Sequence, residues 1–143
     1  MTHRKLGVFV LGVAAIQAAL YATVAIGGDA WTSLFYFDPR IGWFFLETIV
    51  RQQEQFPSVS SWLTAGGTAL LGVMLVLRRE WITVYLVAET VIALPTLAMF
   101  VLIIAANMSP SHGFSVGELI IPVPIFLAVS VTPLTLAWRL RKS

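Results

Sequence analysis

Cysteine is absent from the 143 residues, which excludes disulfides, thiolate metal sites and cysteine nucleophiles. Charge is almost as scarce. Only 11% of the residues are Asp, Glu, Lys or Arg, whereas 58% are apolar; a soluble domain carries about a quarter charged residues. Disorder is excluded as well, because it needs low hydrophobicity and high charge, and the mean hydropathy here is +0.87. Catalytic signatures are also missing: the chain has no GxSxG, no GxxxxGK, no HExxH and no paired carboxylates within an apolar run. His3 and His112 do not share a metal-ligating spacing. An enzyme is therefore unsupported but not excluded, and no metal or resident cofactor is expected, although a bound lipid or quinone fits the composition.

What remains is apolar sequence in long runs. Four stretches, 6–26, 62–77, 82–106 and 119–138, approach the roughly 20 residues needed to cross a hydrocarbon core. The expected fold is a single transmembrane domain over 1–143: an all-α, four-helix transmembrane bundle with an extracytoplasmic amphipathic interfacial helix at about 39–55. The second stretch is short, so either the bilayer thins there or Trp62 and Arg78 mark its interfaces. The first reads as a retained helix and not a signal peptide. Its apolar run exceeds the usual h-region of about 7–15 residues, and "YATVAIGG" is a poor cleavage site.

The basic residues give the threading. Arg4, Lys5, Arg78, Arg79, Arg139, Arg141 and Lys142 fall at one end of the runs, against Arg40 and Arg51 at the other. That asymmetry predicts both termini in the cytoplasm, and a prokaryotic cytoplasmic membrane as the location. It also accounts for the pI of 9.4 without nucleic acid, which is not expected as a partner. Prolines crowd the last two runs (Pro95, Pro122, Pro124, Pro133) and are missing from the first two, which argues against an inverted-repeat transporter.

The long connection, 27–61, holds the extra helix. Asp38 followed by Pro39 reads as a cap and first position, and Pro57 with the serines after it reads as the end. Arg40, Glu47, Arg51 and Glu54 share one polar face, with Glu47 and Arg51 spaced for a weak ion pair. The expected role is a helix lying on the outer leaflet and packed on the bundle; the alternatives are a lid over a cavity and a docking surface, for which Trp31, Phe35, Tyr36, Trp43, Phe44 and Phe45 are the candidate partner interface.

Glu89 interrupts the third run, about 10 Å from its start at 1.5 Å per residue. No Lys, Arg or His is expected in the core of the bundle to pair with it, so it should be protonated at neutral pH or bound to something outside the chain. Tyr85, Ala93 and Thr96 share its helical face. Gln17, Thr68, Ser130 and Thr132 lie at comparable depth on other runs, and together these residues form a candidate polar site. Pro95 is placed to break the helix and free carbonyls nearby. Small residues at Ala14, Ala18, Ala22, Ala65 and Ala69, with Gly66, Gly67 and Gly72, predict close helix packing.

The leading functional expectation is a non-catalytic integral membrane subunit or scaffold, packed against other membrane proteins or itself in the lipid bilayer. Glu89 would then be interhelical glue. The alternatives are a small oligomeric proton-coupled transporter or channel using Glu89, and a module binding a lipid or quinone head group there.

Overall fold

The structure is a computed structural model that describes residues 2–27, 38, 40–52, 57–107 and 122–143. Helix α1 covers His3–Gly27, α2 Gly42–Arg51, α3 Val59–Leu77 and α4 Ile82–Asn107. A short helix α5, Pro122–Phe126, runs through a widened π turn, Leu127–Val131, into α6, Thr132–Lys142. Among the described residues there is no strand. Four helical stretches among them are long and apolar enough to cross a membrane: His3–Ile26, Val59–Leu77, Arg79–Leu102 and Val123–Lys142.

Two boundaries differ from expectation. Helix α3 starts three residues before Trp62 and has 19 residues, about 28 Å at the usual rise, so a thinned bilayer is not required. Serines end an apolar pattern, but they do not end a helix: the Thr64 hydroxyl returns to the Ser60 carbonyl at 2.6 Å, satisfying itself within the first turns. Helix α2 is shorter than 39–55. It stops at Gln52, which turns left-handed (φ 54°) and returns its N–H to Thr48 O at 2.9 Å. Pro57 is not what ends it, and Glu54 lies outside the described residues.

Helices α1 and α3 pack side by side, α4 packs on α6, α6 also touches α1, and α2 sits against both α3 and α4. Glycines set the closest approach of α1 to α3. A Cβ on Gly7 would lie 2.7 Å from the Val76 backbone nitrogen, and one on Gly72 2.7 Å from Leu11 Cγ. Gly66 and Gly67, by contrast, face open space, so of the three glycines expected to act in packing only Gly72 does. Leu6, Val10, Leu71, Leu75, Ile82, Tyr85 and Ala137 form the apolar cluster at that end.

The same end is closed by a tight 3-10 turn, Arg79–Trp81, between α3 and α4. Its Arg79 guanidinium reaches the last turn of α6, donating to Leu140 O at 2.6 Å and to Ser143 Oγ at 3.1 Å. A cation on orphan carbonyls is a favourable helix C-terminus. Trp138 lies beside Lys142 and Arg141, 5.0 and 5.7 Å from its ring centroid.

Pro133 explains the widened turn. It has no N–H to give and its ring crowds the carbonyl four residues back, so the preceding turn opens to the i−5 spacing, with Thr132 N–H on Leu127 O. The outward faces of the bundle are apolar: Val8, Ile16, Leu63, Leu70, Val87 and Leu102 are all exposed. Contiguous surface of this kind belongs against hydrocarbon or another protein.

Candidate functional site

Tyr85, Glu89, Ala93 and Thr96 line one face of α4, and all four are buried. Glu89 is not alone there. Arg40, from the turn that precedes α2, inserts its guanidinium between α3 and α4: Nη2 donates to Glu89 Oε1 and Nη1 donates to Thr68 Oγ1. The Thr68 hydroxyl in turn donates a hydrogen bond to Thr64 O at 2.7 Å. The expectation that no basic residue reaches the core is therefore overturned. Its premise was that position along the chain fixes depth. The connection instead folds back into the bundle, and Arg40 is as buried as the carboxylate it meets.

Asp38 accompanies it and does not cap α2. The residue at the N-cap is Ile41, with no side-chain cap. The Asp38 carboxylate faces α1, accepting from Tyr21 OH on Oδ2 and from Gln17 Nε2 on Oδ1 at 3.4 Å. Its Oδ1 also takes the Arg40 backbone N–H at 2.9 Å, the local bond by which aspartate stabilises a turn. Ile41 N–H closes that turn on Asp38 O at 3.4 Å. Asp38 thus ties the turn to α1, and Arg40 ties it to α3 and α4.

The head of α2 then docks on the proline turn of α4. Gly42 N–H donates to Thr96 Oγ1 at 3.2 Å, and Trp43 Nε1 donates to Ile92 O at 2.8 Å. A Cβ on Gly42 would collide with the backbone of Pro95 and Thr96, so only glycine permits this approach. Pro95 does not break α4, which is continuous from Ile82 to Asn107. It leaves the Val91 carbonyl without its usual donor, and Trp43 binds the neighbouring carbonyl of Ile92.

The remaining candidates divide. Tyr85 lies within electrostatic reach of both Glu89 and Arg40. The Ser130 hydroxyl, turned inward on the π turn, faces the same carboxylate but stops outside hydrogen-bond geometry. Thr132 is not part of the site: it is exposed and donates to Leu127 O at 2.9 Å. On the partner side, Phe44 is buried and Trp43 and Phe45 are half-buried. The outward ridge of α2 is Leu46, Ile49 and Val50. Trp31, Phe35 and Tyr36 lie outside the described residues.

Asp38 and Arg40 were missed as site residues. A signal for them exists: they are the only charges in "SLFYFDPRIGWFFL", and a charge flanked by such apolar sequence needs a partner. Comparison with known protein families, curated proteins and solved structures finds no match for this chain. The chemistry of the site therefore rests on its own atoms. They form a buried cluster of two carboxyls and one guanidinium that joins the connecting turn to α1, α3 and α4.

Proposed function

We propose that this chain is a non-catalytic integral membrane subunit, inserted with both termini in the cytoplasm, that docks on other membrane proteins or on a second copy through α2. The observation behind this reading is how firmly α2 is held at its head and how apolar it is on its outward side. Arg40, Gly42 and Trp43 fix its start against α3 and α4, while Ile49 and Val50 are 78% and 72% exposed. A rigid helix with an unpaired apolar ridge suits an interface, because little freedom is lost when it binds. Beside the ridge, Trp43, Leu46, Val50, Val59 and Leu63 line a groove of about 310 Å³ with Glu47 and Arg51, which suits an inserted side chain from a partner.

The threading is supported by the charge asymmetry, which the fold sharpens. Of the two basic residues at the α2 end, Arg40 is buried against Glu89 and only Arg51 is exposed. A photo-crosslinker placed at Ile49 in the membrane-embedded chain tests the docking surface, with Leu70 on the outward face of α3 as control. The reading predicts a discrete protein adduct from Ile49 and only lipid adducts from Leu70. Lipid adducts from both sites, together with a lone monomer on gentle extraction, would sink it.

A further inference from the structure

The buried cluster is short of one positive charge. Asp38 and Glu89 are both carboxyls, and Arg40 is the only buried Lys, Arg or His among the described residues. Among the described residues, the groups facing the cluster add no cation. They are Gln17 and Tyr21 from α1, Thr68 from α3, Tyr85 and Thr96 from α4, and Ser130 from the π turn. Helix α6 contributes only Pro133 and Ala137 to the interior. The charged pair of α2, Glu47 and Arg51, lies towards the far end of that helix, where Arg51 is 66% exposed. With both acids ionised the interior would hold an uncompensated negative charge, which apolar surroundings oppose strongly.

The two carboxyls are not equivalent. Asp38 receives three donors: Tyr21 OH, Gln17 Nε2 and the Arg40 backbone N–H. Those donors favour the ionised form, and burial pushes the other way and holds the Asp38 carboxyl above the usual carboxylate range. Glu89 has one donor, Arg40 Nη2 on Oε1, while its Oε2 is buried with no partner. Two more buried oxygens without hydrogen bonds, Ser130 Oγ and Tyr85 OH, interact electrostatically with the same carboxyl, and Arg40 Nε and Gln17 Oε1 are also buried without a partner. Buried polar atoms left without partners are few in folded proteins, and several of them gathered in one cluster call for an explanation.

We propose that Glu89 Oε2, with Tyr85 OH and Ser130 Oγ, binds one exchangeable monovalent cation, a proton or a sodium ion, that completes the charge balance of the Asp38–Arg40–Glu89 cluster. A proton on Oε2 turns an acceptor without a donor into a donor facing two hydroxyl oxygens. A sodium ion there finds a carboxylate and two hydroxyls as oxygen ligands. Either neutralises the cluster without disturbing Arg40. This inference does not depend on the docking role of α2.

The test uses the full-length chain in lipid vesicles. Melting midpoints are followed against pH in sodium-free buffer, then with sodium added at constant ionic strength, for wild type, Glu89→Gln and Asp38→Asn. A proton held by the folded chain and released by the unfolded one makes stability fall as pH rises above the ordinary carboxyl range. The wild type should therefore show that fall, and both variants should lose it, since each leaves Arg40 with one carboxylate. A fall unaffected by sodium identifies the proton; a rise in midpoint on adding sodium, confined to the wild type, identifies the metal ion. Infrared spectroscopy of wild type alone covers the case in which a variant fails to fold. A protonated-carboxyl band at neutral pH in sodium-free buffer is expected, removed by sodium only in the second case. Overturning the proposal takes the absence of that band combined with no sodium response, or variants whose pH profiles match the wild type.

Discussion

Among the described residues no hydrogen bond joins α1 to α3, whereas α2 and the turn before it reach α4 with an ion pair, a hydroxyl and an indole N–H. In the first seam Gly7 and Gly72 remove side chains so that backbones can meet, and Leu6, Val10, Leu71 and Leu75 fill what remains. In the second, Gly42 plays the glycine part against Pro95 and Thr96, but Arg40, Thr96 and Trp43 add directed bonds. The comparison teaches that dispersion suffices where two long helices lie side by side over many turns. A ten-residue helix fed by a turn has too few contacts for that, and needs directional bonds to set its position.

The largest expected effect comes from breaking the polar seam at its charge. Arg40→Gln strands Glu89 and should cost about 3–5 kcal/mol of unfolding free energy, the usual result of removing one partner of a buried pair. Reversible unfolding in mixed detergent measures it; a cost near zero would mean that Arg40 lies in water. Next, alanine at two glycines sharpens the contrast between seams. Gly42→Ala meets backbone that cannot yield and should cost about 1–3 kcal/mol. Gly72→Ala meets Leu11 Cγ at 2.7 Å and the Leu11 backbone nitrogen at 3.0 Å, a milder clash than the approach to Thr96 N at Gly42, and should cost less than Gly42→Ala. Equal costs would remove the distinction.

Smaller again is Trp43→Phe, which keeps the ring and loses the bond to Ile92 O, for about 0.5–1 kcal/mol. Helix α2 should also become easier to displace, seen as faster amide exchange at Gly42. Last, Thr132→Val removes an exposed hydroxyl outside the cluster and should stay within about 0.5 kcal/mol of wild type. A loss comparable to that of Arg40→Gln would place Thr132 in the site after all.

The first seam was legible in the sequence because helix periodicity and composition determine it. Apolar runs locate α1, α3, α4 and the α5–α6 unit, and small residues at helical spacing point to close packing, though Gly66 and Gly67 show that spacing alone does not say which face is used. Glu89 stood out for the same reason, as a carboxyl where water is absent. Its partner did not. Arg40 is 49 residues away, in a stretch that local rules read as the start of a surface helix, and the fold-back that buries it depends on tertiary bonds to Tyr21, Thr68 and Thr96. An Asp-Pro step reads as a cap by local chemistry, and here the longer-range donors on α1 take that carboxylate instead. Ser130 faces inward only because Pro133 widens the turn before it, which shifts the helical face in a way that a fixed period of 3.6 cannot anticipate.

A double-mutant cycle between Arg40→Gln and Glu89→Gln tests the central pairing most directly. If the two side chains meet inside the bundle, the double variant should be less destabilised than the sum of the singles by more than about 1 kcal/mol. Additivity to within about 0.5 kcal/mol would contradict it and return Arg40 to the surface.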